Sequence, residues 1–346
     1  MKTAIGMISF IAVGLLAAIL FGFRPEATRS LPYDEEQTGL KERIVIKFSH
    51  VVAENTPKGL AASHFAKLVK EKTNDAVEIQ VFPNGMLYTE DTEVAALKRG
   101  DIQMIAPAYS NLSVIDPAWL IMDLPFAFAD QRAVDSALDG TLGELLFASM
   151  ERHHIKGAAF WSNGFKQMTD SVRPLRVPAD FKGLNFRILP SDVLVSQFQA
   201  LGATTSKIPF NEVFASLKKG TVDGQENTIS NIFTKQLYQT QHYMTISNHG
   251  YLGYGVMFNE SFWDGLPPGI QAELQSALAE TTEWMKQNTA AMQEQQLRQL
   301  KPLKDIDIHT LTPQEREQWV QAFLPIYDQY REIIGEPLMN EIARPK

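Results

Sequence analysis

Residues 181–231 read FKGLNFRILPSDVLVSQFQALGATTSKIPFNEVFASLKKGTVDGQENTISN, from Phe181 to Asn231. Two short apolar segments in this stretch end on polar residues, Arg187 after GLNF and Gln225, Glu226 and Asn227 after TVDG. Each runs directly into a pattern of helical period. In an open α/β sheet, ligands sit in the crevice beyond the carboxyl ends of the strands, where the following helices begin. The stretch therefore predicts an α/β fold with Arg187 and Asn227 on the polar floor of a small-molecule site and Gln225 beside them.

Upstream, Ile44, Ile46 and Phe48 alternate with Val45 and Lys47 as a strand, and SHVVAENTPKG breaks it with turn residues that include His50. Pro57 opens a helix whose Leu60, Ala61, Phe65, Leu68 and Val69 share one face. VEIQVF is a second strand. Thr89 to Arg99 predicts a helix with Glu90, Asp91 and Glu93 in its first turns, where the helix dipole favours acids, and Gly100 ends it. IQMIA is a third strand that opens into PAYSNLSVIDPAW, which carries Tyr109. Strand, helix, strand, helix, strand is the order of parallel pairing with helical crossovers.

An echo points to two lobes. LKRGDIQ from Leu97 and LKKGTVDG from Leu217 each combine a helix end, two basic residues, a glycine and the start of a strand, about 120 residues apart. Between and after them, DLPFAF (Asp123 to Phe128), KGAAFWSNGFKQMT (Lys156 to Thr169) and NHGYLGYGVMFNE (Asn248 to Glu260) suit strands that cross between lobes and the mouth of a cleft. Tyr109 and Asn163 fall at that mouth by position. From Pro267 and Pro268 a helical stripe continues to about Leu300, roughly 50 Å at 1.5 Å per residue and long enough to lie across both lobes. Thr312 to Tyr330 is a further amphipathic helix. The predicted division is residues 43–163 with 252–290 in lobe one, and 164–251 with 291–346 in lobe two.

The first 24 residues, MKTAIGMISFIAVGLLAAILFGFR, carry Lys2, an apolar run from Ala4 to Phe23 and a stop at Arg24. That is an export signal, and the run is also long enough for an uncleaved anchor. Residues 1–27 are assigned to it, and the polar stretch 28–42 to a linker. The rest is expected outside the cytoplasm, in the periplasm.

Composition narrows the chemistry. In 346 residues, 45% hydrophobic and 21% charged content is that of a globular protein, and the length suits two lobes. A net charge of −8 with no basic cluster argues against nucleic acid. The absence of cysteine removes disulfides, thiolate nucleophiles and Cys-bound zinc. The adjacent pair His153 and His154 cannot face one metal from a helix or strand. No G-x-S-x-G and no phosphate loop are present. Neither a metal, a cofactor nor an enzymatic centre is therefore expected. In GYLGYG the glycines read as close backbone packing.

Arg187 remains. Its guanidinium can grip a carboxylate through two parallel hydrogen bonds, a geometry lysine lacks. Asn227 can cap the helix starting at TISN or place an amide and a helix N-terminus against an anion.

These motifs together, FSHVVAENTPKG, FWSNGFKQMT, KGLNFRI, SLKKGTVDGQEN and YQTQHYMTISNHG, resemble the dicarboxylate-type solute receptors of tripartite ATP-independent periplasmic (TRAP) transporters over about Arg43 to Tyr330. The resemblance implies a type II-like two-lobed fold with crossover strands and a long C-terminal helix, and a cleft that closes on an organic acid such as malate, succinate or fumarate. It also implies delivery to small and large membrane subunits without catalysis. The family's carboxylate-binding arginine falls on Arg187, its QEN asparagine on Asn227, and its cleft-entry motif on His50. A second family arginine falls on Lys166, which keeps the charge and loses the bidentate geometry. Thr228 stands where proline is common, and Tyr109 where small hydroxyl residues are frequent. A membrane-held receptor that senses an organic acid, and an enzyme on a similar scaffold, are the competing classes.

Overall fold

The structure is a computed structural model that describes residues 43–345. The export segment 1–27 and the linker 28–42 lie outside the described residues. Val45–Lys346 forms one compact unit.

In chain order the first half runs β1 (Ile44–Ser49), α1 (Pro57–Lys72), β2 (Val77–Phe82), α2 (Glu93–Arg99), β3 (Met104–Ile105) and α3 (Tyr109–Leu112), then α4 (Gln131–Leu138), α5 (Thr141–Glu151) and β4 (Ile155–Asp170). The second runs β5 (Asn185–Ile188), α6 (Asp192–Ala200), β6 (Thr204–Lys207), α7 (Val213–Lys218), β7 (Gly224–Thr228), α8 (Ile229–Thr234) and β8 (Tyr243–Asn259). The chain closes with α9 (Glu260–Asp264), α10 (Pro268–Leu300), β9 (Asp307–Thr310), α11 (Pro313–Ile334) and α12 (Glu336–Met339).

Among the described residues nine strands form one sheet, in the order β2-β1-β3-β8-β4-β7-β5-β6 with β9 beside β8. The order is palindromic. β3 lies parallel to β1 at one end, β7 parallel to β5 at the other, and the antiparallel pair β4 and β8 joins them. The LKRG and LKKG echo is the sequence trace of this symmetry, because Gly100 (φ 79°) and Gly220 (φ 68°) both turn a helix end towards the strand beside the crossover pair. The fold is thus two-lobed α/β, with long β4 and β8 running from one half to the other.

The glycines of β8 bring its backbone close to bulky neighbours. A Cβ on Gly253 would sit 2.5 Å from the Tyr109 ring, and one on Gly250 would sit 2.6 Å from Lys166 Cε. α10 bridges the halves. His64 of α1 stacks on Trp284 at 5.2 Å, and further along α10, Leu297 and Leu300 pack into the core formed by Phe210, Val213, Leu217 and Ile232. Val51 and Val52, which follow β1, enter that same core.

Three sequence expectations change. DLPFAF is a 3₁₀ turn and loop with Phe126 at φ 55°, its amide bonded to His249 O, so it forms no crossing strand. The third strand shortens to Met104–Ile105. The helix expected from Thr89 starts at Glu93, because Thr89 and Thr92 satisfy each other: Thr89 N donates to Thr92 Oγ1 at 3.0 Å and Glu93 N to Thr89 O. Glu90 is thereby released from the helix and free to point elsewhere.

Candidate functional site

Arg187 and Asn227 end neighbouring parallel strands, in the register Arg187 opposite Gln225. The antiparallel ladder sets Lys166 opposite Thr228 and Gly250, and Gln167 opposite Asn227. Strand positions far apart in sequence, Lys166 and Gly250 among them, therefore meet in one row, at the point where the two halves of the sheet join. The row forms one wall of a cavity of about 330 Å³. Arg187, Lys166, Glu226, Asn227, Asn231 and Phe210 line it from one side, with Glu90, Val51, Val52, Ala108, Leu252 and Tyr254 among the facing residues. Arg187, Lys166 and Glu226 on its wall are each no more than 3% exposed. The site is closed.

Arg187 is 1% exposed. Its Nε donates to Ile208 O at 2.7 Å, and its Nη2 lies 3.4 Å from Glu90 Oε2. The same Glu90 oxygen accepts from Phe210 N at 2.8 Å. Burial lowers the arginine's affinity for its proton, and Glu90 and Glu226 oppose that.

Lys166, also 1% exposed, donates to Glu226 Oε1 at 2.5 Å and lies 3.9 Å from Asp123 Oδ1. Burial pushes the Glu226 carboxyl up, but the Lys166 ammonium and the bond from His249 hold it down at about 2. A carboxylate only accepts, so His249 Nε2 donates across its 2.8 Å contact. The other nitrogen, Nδ1, then accepts from Ser247 Oγ at 2.7 Å, which fixes a neutral ring, as burial favours.

Behind the facing wall a second polar group is enclosed. Lys58 Nζ donates to Ala106 O at 2.8 Å and sits 3.7 Å from the centre of the Tyr254 ring. Burial pulls Lys58 down to about 8 against Glu93 and Glu90, and pushes the Glu93 carboxyl up to about 8 against Lys58. Burial and then Lys58 depress His50 to about 3.

The sequence candidates separate into two groups. Arg187, Asn227 and Lys166 come together on the cavity wall. The other four do not. His50 is fully buried beside it, edge-on to Phe48 at 5.7 Å. Tyr109 lines a separate cavity with Ser162, Tyr251 and Lys286. Asn163 donates to Thr228 Oγ1 at 3.0 Å and to Tyr254 OH at 2.9 Å, so it supports two wall elements from behind. Gln225 donates to Thr169 Oγ1 at 2.8 Å. The capping reading of Asn227 is corrected: Thr228 is the N-cap of α8, accepting from Asn231 N, while Asn227 Oδ1 accepts from Asn231 Nδ2 at 2.7 Å. A threonine in the position where proline is common can make this bond, which proline cannot.

Sequence reasoning missed Glu90, Tyr254, Asn231 and Phe210. Asn231 carried a usable signal, four residues after Asn227 on the first turn of a helix. Glu90 carried a misleading one, since acids there satisfy a helix dipole.

Two relatives and a solved structure resemble this chain closely. Residues 48–333 match the model of the bacterial extracellular solute-binding protein, family 7. The C4-dicarboxylate-binding protein DctB of Bacillus subtilis is 45% identical over 99% of this chain and 98% of its own. The C4-dicarboxylate-binding periplasmic protein DctP of Rhodobacter capsulatus is 42% identical over 86% of this chain and 89% of its own. A TRAP periplasmic solute-binding protein of Shewanella oneidensis, solved with bound succinate, superposes with a TM-score of 0.84 at 38% identity, covering 86% of this chain and 98% of that one. The relatives are solute-binding proteins. Among the described residues no helix is long and apolar enough to cross a membrane.

Proposed function

The chain belongs to the bacterial extracellular solute-binding protein family 7, and from that premise we propose that it is a periplasmic receptor that captures a C4-dicarboxylate for a TRAP transporter. It hands the acid to the small and large membrane subunits and catalyses nothing. The observation that carries this reading is Arg187, a guanidinium shut in at 1% exposure between the two halves of the sheet. A buried cation of this kind needs an anion, because an isolated charge in such a place costs several kcal/mol, and Glu90 meets it only through a 3.4 Å contact that a ligand carboxylate can replace.

In this reading one ligand carboxylate takes the edge of Arg187 that Glu90 Oε2 approaches to 3.4 Å. Asn227 and Asn231 offer amides, and the Lys166 ammonium, already tied to Glu226, attracts the second carboxylate at short range. Residues 43–163 with 252–290 form one lobe and 164–251 with 291–346 the other, so that the boundary crosses β4 beside Gly164, where the ladder slips and φ is 103°. Micromolar affinity, about −8 kcal/mol, suffices for capture.

A thermal-shift screen of the purified protein against mono- and dicarboxylic acids tests the reading. Succinate, malate or fumarate should raise the melting temperature and monocarboxylates of the same length should not. A screen in which no dicarboxylate stabilises the protein contradicts it.

A further inference from the structure

Glu90 belongs to the connection between β2 and α2, yet its carboxylate reaches across the seam to Arg187 Nη2 and Phe210 N, both on the opposite half. It therefore occupies the guanidinium edge that a ligand acid needs. The cavity wall carries two cations, Arg187 and Lys166, and two carboxylates, Glu90 and Glu226. The wall is charge-balanced, and an incoming dianion gains little from it. Glu90 also lines a second, open pocket of about 850 Å³ on the outer side of the seam, with Asp91, Lys98, Asn111, Val114 and Pro190. Asn111 is 6% exposed, and neither its Nδ2 nor its Oδ1 has a hydrogen-bond partner. One glutamate thus stands between an inner arginine and an outer pocket that contains an unused amide donor and a lysine.

We propose that Glu90 is a movable carboxylate gate: the ligand acid displaces it from Arg187, and it turns outward to the pocket of Asn111 and Lys98. The proposal rests on the acid-binding reading of the cavity. Turning Glu90 out leaves Arg187 and Lys166 against Glu226 and, 3.9 Å from Lys166, Asp123, which makes the wall less negative and more attractive to a dicarboxylate. A protein whose competent state is only partly populated binds with its affinity reduced by that fraction. The gate therefore lowers apparent affinity and discriminates against weak acids that cannot compete with an internal carboxylate.

The test is stopped-flow and calorimetric binding of succinate to the wild type, Glu90→Gln and Asn111→Ala. Glutamine keeps the shape and an acceptor for Phe210 N but removes the competing charge. Glu90→Gln should bind succinate about tenfold more tightly, chiefly through faster association. Asn111→Ala, which removes the outward partner, should bind more slowly and more weakly with an unchanged melting temperature. Unchanged or weaker binding by Glu90→Gln, with the wild type binding normally, overturns the gate and leaves the acid-binding reading standing. A wild type that binds no dicarboxylate overturns both.

Discussion

Lys166 Nζ lies 2.5 Å from Glu226 Oε1, inside the protein and opposite Gly250 of β8, where an added Cβ would stand 2.6 Å from Lys166 Cε. The pair is a neutral unit with a fixed place, held on the far side by His249. Breaking a buried pair by removing one partner leaves a bare charge, and the cost is about 3–5 kcal/mol. Lys166→Met should therefore lower the unfolding free energy by about that amount in denaturant titration. A loss below about 1 kcal/mol shows that the pair is not buried as described.

Gly250→Ala probes the same contact more gently. The added methyl must push Lys166 Cε away from 2.6 Å, and the lysine's far end is flexible enough to yield. The expected result is a loss of succinate affinity of about tenfold or more with a stability loss of about 1–2 kcal/mol. Unaltered binding in calorimetry contradicts the placement of Lys166 on the ligand wall.

Gly253→Ala meets a stiffer neighbour. Its Cβ would stand 2.5 Å from the Tyr109 ring, which is wedged between Trp119 at 5.6 Å and Phe160 at 6.1 Å. Overpacking of a filled core costs about 1–3 kcal/mol. A thermal melt should show this variant as the less stable of the two glycine substitutions, and the reverse order contradicts the packing.

Two buried groups give opposite dependences on pH. His50 has its folded pKa depressed from 6.5 to about 3, so the unfolded chain binds the extra proton. Its contribution is fully present above pH 6.5 and is lost as pH falls towards 3. Glu93 is raised from 4.5 to about 8, so its contribution is present below pH 4.5 and is lost as pH rises towards 8. Each proton corresponds to a slope of about 1.4 kcal/mol per pH unit. Between pH 4.5 and 6.5 the two oppose each other in the wild type. His50→Gln should make stability fall with rising pH in that window, and Glu93→Gln should make it fall with falling pH. Parallel curves for the two variants contradict the assignment.

At the start of α11, Thr312 Oγ1 accepts from Glu315 N at 3.2 Å while Glu315 Oε2 accepts from Thr312 N at 2.8 Å. Thr312→Ala removes this reciprocal cap and should cost about 1 kcal/mol by chemical denaturation. No change indicates that the helix start is held by packing alone.

Much of the fold was legible because its signals are local. Apolar alternation, Gly100 and Gly220 after basic helix ends, and the long stripe from Pro268 each report on a few neighbouring residues, and their order fixes the topology. Of the residues that reach the cavity wall, Arg187 and Asn227 were visible because they end apolar strands, and Lys166 through the family resemblance alone. Partnerships were not visible. Nothing near Lys166 in sequence announces Glu226, 60 residues away, and nothing near Arg187 announces Glu90. Glu90 was assigned to a helix start because three acids before an apolar run fit a dipole pattern, and the Thr89–Thr92 turn that displaces it depends on side-chain geometry. Tyr109 and Asn163 were placed in the cleft by chain position, but Tyr109 opens α3 and lines a separate cavity, and Asn163 of β4 bonds Thr228 and Tyr254 behind the wall.

The account depends most on the guanidinium at the seam. Calorimetric titration of succinate into the wild type and into Arg187→Ala, at matched melting temperatures, measures it directly. Saturable binding by the wild type with none detectable in the variant is the predicted result. Equal affinity in the two proteins contradicts the account, because the acid would then be held by something other than Arg187.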